Sequence, residues 1–209
     1  MKKARGSRRR LAPIVALVAA LVASCGGGDE GDGVGSLPPP PTFQAACADS
    51  GAVPAAASVT GRCAALSGVI APVEIVITDT PPGEEIISAV LDVTFNPLVA
   101  SFDSCSAGPA LGSAGELTVQ CDVVAGNSGE LLAVVGRLGT GPGRAVAGTQ
   151  VVLTLNFRVA RVGSSPLGFL GINTPNGTAL LRRDPADPTA PLQVVAGVTF
   201  DADVTLTGS

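Results

Sequence analysis

The sequence predicts an all-β protein: one antiparallel β-sandwich of about eight or nine strands, behind a signal peptide and a flexible tether. Three observations predict it. Apolar and polar residues alternate strictly along three separate segments, as they do in half-buried antiparallel strands. Clusters of turn-forming residues divide these segments, and the 209-residue chain holds 27 Gly and 17 Pro. No amphipathic helix of convincing length lies between them.

Residues 1–24 read as a lipoprotein signal peptide. MKKARGSRRR carries six basic and no acidic residues, and an apolar run from Leu11 to Ala23 follows. That run is too short for a mature transmembrane helix and suits the core of a secretory signal. It ends in Val22-Ala23-Ser24-Cys25. This resembles the bacterial lipobox, in which small residues precede a cysteine that becomes the acylated N-terminus. An ordinary signal with a chance cysteine is the plainer reading. The basic region, the apolar core, the small residues and the tether all agree with the lipobox. The implied partner is a lipid membrane reached through Cys25, since two or more acyl chains anchor a protein stably. Gly26 follows in place of Asp. Together these features imply an exported lipoprotein of the outer membrane or cell surface, with its domain in the periplasm or outside.

Residues 25–42 form the tether. GGGDEGDGVGSLPPPPT has no hydrophobic period and nothing that could pack. It reads as a flexible Gly/acidic stretch followed by stiffer polyproline, whose use is reach. Taking the leader's six basic residues from the chain's 13 leaves seven arginines against 17 acidic residues, a net charge near −10. An acidic domain of this kind is expected to stay soluble beside an anionic membrane.

Setting Cys25 aside leaves Cys47, Cys63, Cys105 and Cys121, an even number in an exported chain, which implies disulfides. Three pairings are open. The sequential one, Cys47–Cys63 and Cys105–Cys121, is favoured because both loops are short. Residues 43–68 then form a disulfide-closed N-terminal extension, and 69–209 the sandwich. Metal or redox use of these cysteines calls for C-x₂-C spacing, which is absent.

Within 69–209 the strands follow in order. Ile87, Ala89, Leu91, Val93 and Phe95 make one face of the first strong strand. Val151, Leu153, Leu155, Phe157 and Val159 repeat the pattern, and Val198, Phe200, Ala202, Val204 and Leu206 do so again. Weaker strands are expected over 73–78, 100–104, 116–122, 130–136, 166–172 and 178–182. Pro81-Pro82-Gly83, Asn96-Pro97, Gly126-Asn127 and Pro175-Asn176-Gly177 mark turns, and Gly139 to Gly143 reads as a hairpin turn.

Missing residue types exclude several functions. The chain has no His, Trp or Tyr, and its only lysines, Lys2 and Lys3, lie in the leader. Histidine bases, Ser-His and Cys-His pairs and Schiff-base lysines are therefore excluded. Nucleic acid is not an expected partner, because basic patches and stacking aromatics are lacking.

Two segments resemble a known family. Leu91-Asp92-Val93-Thr94-Phe95-Asn96-Pro97-Leu98-Val99 is similar to the early cohesin motif, a strand ending in an aromatic, Asp or Asn, Pro and a further apolar residue. Gly148 to Val159, ending in Phe157-Arg158-Val159, is similar to a later cohesin strand, and Gly163-Ser164-Ser165-Pro166-Leu167 to the element after it. The resemblance covers about Val69 to Leu206 and implies a jelly-roll sandwich related to carbohydrate-binding modules. Phe95 stands where the family usually has Tyr, and Cys105–Cys121 is not a family hallmark. Cohesins bind dockerin modules through a sheet face, whereas many relatives bind polysaccharide. Dockerin contact residues cannot be transferred, because no motif identifies them here.

The function implied is a non-catalytic, membrane-anchored module that captures a protein partner, dockerin-like or an envelope component. The polar side of residues 151–159, with Thr154, Asn156 and Arg158, is the candidate partner-binding face; a solvated face is the plainer alternative. Carbohydrate binding and a structural stalk are the other readings. Sugar platforms are normally aromatic, yet Phe95, Phe157 and Phe200 lie on core-facing sides. No catalytic residues are expected: Glu84 and Glu85 are adjacent in a turn and diverge. No cofactor is expected either, apart from a structural Ca²⁺ for which Asn96, Asp184, Asp187, Asp201 and Asp203 could supply oxygens.

Overall fold

The computed structural model describes residues 42–209 with the exception of Pro175. The leader, Cys25 and nearly all of the tether lie outside the described residues. The described residues belong to one compact unit. Its strands are β1 (Ala45–Asp49), β2 (Ser58–Cys63), β3 (Ile70–Thr78), β4 (Ser88–Thr94), β5 (Ala100–Ala107), β6 (Leu117–Val123) and β7 (Glu130–Arg137). There follow β8 (Thr149–Val159), β9 (Gly163–Pro166), β10 (Gly168–Phe169), β11 (Ala179–Arg182), β12 (Gln193–Val194), β13 (Thr199–Asp201) and β14 (Val204–Gly208). Two 3₁₀ turns, Pro109–Leu111 and Ala114–Glu116, join β5 to β6.

The all-β sandwich is the fold. One sheet runs β12-β11-β4-β7-β6, with β10 also on β4. Another runs β13-β2-β3-β8-β5, and a small third sheet runs β1-β14-β9. Ala89, Leu91 and Val93 of β4 and Leu131, Ala133 and Val135 of β7 meet Val73 and Ile75 of β3 and Leu153, Leu155 and Phe157 of β8 in one core. Phe157 is fully buried at its centre, 5.2 Å from the Phe95 ring and 6.2 Å from the Phe102 ring, both edge-on.

Four expectations are refined. Residues 43–68 contribute strands to the sandwich itself: β1 pairs with β14, and β2 pairs with β3. The 198–206 alternation is two strands, not one. β13 pairs in parallel with β2, the exception to an otherwise antiparallel fold, and β14 moves to the third sheet. The chain turns at Asp203, whose φ is 44°, while Val198, Ala202, Val204 and Leu206 all stay buried. The period of two survives the change of sheet. On β8 a register shift opposite Ile75/Val76 carries Val152 into the core, so Val151, expected inside, lies opposite Val76. Finally, Gly139 to Gly143 is not in a hairpin turn, because β7 and β8 belong to different sheets.

The disulfides are sequential. Cys47–Cys63 spans 5.8 Å between Cα atoms and ties β1 to β2, hence the third sheet to the second. Cys105–Cys121 spans 6.5 Å and ties β5 to β6, the edge strands of the two main sheets. Each bond thus joins a different pair of sheets.

Candidate functional site

A β-sandwich has its outer sheet faces to offer to a partner, and here the two differ. The expected residues Thr154, Asn156 and Arg158 lie together on the outer side of β8, alternating with buried Leu153, Leu155 and Phe157. Most of their cross-strand neighbours are polar as well: Glu74 and Ser106 flank Thr154, Ser104 lies beside Asn156 and Ser101 beside Arg158, while on the β3 side Pro72 faces Asn156 and Ile70 faces Arg158. The groups engage one another. Arg158 pairs with Asp103 at 3.2 Å, Asn156 Nδ2 donates to Ser104 Oγ at 3.1 Å, and Arg62 pairs with Glu74 at 2.7 Å. This face is hydrophilic and its charges are internally matched.

The outer side of β4 and β7 is different. Registration places Val90 opposite Val134, and Leu132 between Asp92 and Asp122. Leu181 of β11 stands opposite Val194 of β12 on the same side, since Leu180 and Val195 point into the core. Val90, Leu132, Val134, Leu181 and Val194 therefore form an aliphatic strip on an outer face, and Leu132 is 39% exposed. Asp92, Asp122 and Glu130 border it. Burial pushes the Asp92 carboxyl above its ordinary range, and the nearby Glu130 pushes it further. Asp92 Oδ1 is buried without a hydrogen-bond partner. Apolar centre and polar rim are the anatomy of a binding interface.

Sequence reading passed over this face because it sought alternation. The signal was present in Leu131-Leu132-Ala133-Val134-Val135, where apolar residues occupy both sides of a strand. Such a run marks a strand whose two faces are both meant to be covered.

The remaining expectations separate in space. Asp203 accepts from the Ser50 N–H at 3.2 Å and from its hydroxyl, and Asp201 accepts from the Asp203 N–H at 3.2 Å. Both line a groove of ≈ 960 Å³ together with Asp49, whose carboxylate accepts from the Gly51 and Cys63 N–H groups. Asp184 and Asp187 cap turns in the β11–β12 loop, and Asn96 caps the turn after β4. Among the described residues no three acidic or cysteine side chains converge on a common metal position. Glu84 pairs with Arg182 at 3.0 Å. Five of the six phenylalanines pack on the core, and Phe43 alone is exposed.

No protein-family model matches the chain, and no curated protein does. Solved structures do match. A type II cohesin domain from the cellulosome of Acetivibrio cellulolyticus is 17% identical, covers 72% of this chain and 95% of its own, and superposes with a TM-score of 0.52. The second type II cohesin module of the adaptor ScaA scaffoldin of the same organism is 14% identical, with 70% and 87% covered and a TM-score of 0.50. A chain of a type II cohesin–X–dockerin complex of Acetivibrio cellulolyticus is 12% identical, with 70% and 96% covered and a TM-score of 0.51. The protein has a cohesin-like β-sandwich fold.

Proposed function

We propose that the protein is a non-catalytic binding module that captures a protein partner through the outer face of β4, β7 and β11, while lipid on Cys25 holds it at a membrane. The aliphatic strip of Val90, Leu132, Val134 and Leu181 on a cohesin-like frame carries this reading. One solved relative of the same fold is recorded in complex with a dockerin, and a dockerin-like module is the leading partner class. Exposed Leu132 among the half-buried Val90, Val134 and Leu181, bordered by Asp92, Asp122 and Glu130, calls for a partner surface that is apolar at its centre and basic at its edge.

The mechanism is tethered capture. Lipid fixes location, residues 26–42 supply reach, and the disulfide-braced sheets present the face without rearrangement. To test it, immobilise the mature chain and identify what it retains from an extract of the source organism. A stoichiometric protein released by Leu132→Asp supports the reading. Retention of polysaccharide alone, or of further copies of the chain alone, overturns it.

A further inference from the structure

Three stretches far apart in sequence meet at one corner of the domain: the turn after β4, the turn between β8 and β9, and the point where the chain enters at Phe43. The Ala160 N–H donates to the Val99 carbonyl at 3.0 Å, Asn96 Nδ2 donates to the Ser164 carbonyl at 3.2 Å, and the Asn96 N–H donates to Ser165 Oγ at 2.8 Å. On the other flank Gln44 and Ser209 exchange backbone hydrogen bonds at 2.9 and 3.0 Å. Gly208 lies so close to the Phe43 ring and the Arg161 carbonyl that a Cβ there would strike both.

Each stretch exposes one large apolar side chain. Val162 is 74% exposed, Leu98 69% and Phe43 38%. Arg161, next to Val162, is exposed and makes no ion pair among the described residues. Neither Asn96–Val99 nor Ala160–Val162 contains a carboxylate. Single exposed aliphatics are ordinary. These are distinguished by their place: they surround the point at which the tether joins the domain.

We infer that this corner is a membrane-contact tip, in which Leu98, Val162 and Phe43 enter the interfacial layer of the bilayer and Arg161 pairs with a lipid phosphate. The inference rests on Cys25 being the lipid anchor. The 17 residues from Gly26 to Thr42 reach at most about 60 Å when extended. A domain on so short a leash meets its membrane at an effective concentration near millimolar, so a contact too weak to bind free protein suffices. The acidic body stays off the surface while this corner, whose two turns carry Arg161 and no carboxylate, touches it.

The chain has no Trp, so one introduced indole reports alone. Lipidated chains carrying Val162→Trp, or Val53→Trp in the β1–β2 loop as a control, are reconstituted into vesicles of phosphatidylethanolamine and phosphatidylglycerol containing brominated lipid. Val53 is 93% exposed. The expected result is blue-shifted emission from the indole at 162, quenched at least twofold more than that at 53, with Arg161→Glu weakening the quenching. Vesicle-bound chain with equal quenching at both positions overturns the tip and leaves the anchor standing. Chain that fails to float with vesicles overturns the anchor and the tip together.

Discussion

Phe157 shows how much of this fold one side chain holds. It sits on β8, fully buried, with Phe95 and Phe102 against its ring edge-on. Phe157→Ala removes both contacts and leaves a cavity at the core's centre, and it should cost about 3–5 kcal/mol, read by denaturant unfolding. Asp92 is the opposite case, a residue whose burial works against stability. Its raised carboxyl means that the folded state holds a proton at pH values where the unfolded chain has lost it. Stability therefore falls as pH rises from the unfolded value through the folded one. Asp92→Asn should raise the melting temperature at pH 7, and the gain should vanish under acid conditions in which both forms are protonated. Glu116 has the other sign: the Ser113 N–H and hydroxyl, then Arg137, hold its carboxyl below the usual range. Its contribution is present above the unfolded value and is lost as pH falls through the folded one.

At the scale of elements, legibility followed periodicity. β4 and β8 were readable because Ala89, Leu91 and Val93, and Leu153, Leu155 and Phe157, alternate with polar residues. Where strands begin and end was less readable, because alternation persists through a change of sheet. Val198 to Leu206 keeps its period of two across the turn at Asp203, and only backbone geometry reveals two strands there. The bulge that turns Val152 inward is likewise invisible to side-chain patterning. β1 and β2 were missed as sandwich strands because Ala45–Asp49 and Ser58–Cys63 are short and weakly apolar; pairing with β14 and β3 gives them their order. Cys105–Cys121 joins the free edges of both main sheets. Replacing both cysteines with serine should cost about 3 kcal/mol by the loop-entropy estimate, measured by denaturant unfolding as a lower midpoint with a steeper slope, because the unfolded chain loses its cross-link and expands.

For the whole molecule, the question is which surface acts. The polar face expected from the sequence is present, with Thr154, Asn156 and Arg158 side by side, but Asp103 and Ser104 already engage two of them. Such exposed pairs are worth only about 0–1 kcal/mol, and covering this face removes little apolar surface from water. The opposite face keeps Leu132 open to water among half-buried aliphatic neighbours and gains by covering them. Finding it needed the register of β4 against β7 and of β11 against β12, which brings Val90, Val134, Leu181 and Val194 into one strip.

The central claim is that this face, and not the one across β8, binds the protein partner. The most direct measurement compares partner affinity for the unaltered chain, Leu132→Asp and Arg158→Glu, each first shown to unfold at the same midpoint. A loss of at least about tenfold for Leu132→Asp, with Arg158→Glu within about twofold of the unaltered chain, is predicted. The reverse pattern, with Arg158→Glu abolishing binding and Leu132→Asp leaving it intact, would contradict the claim and return the site to the polar face of β8.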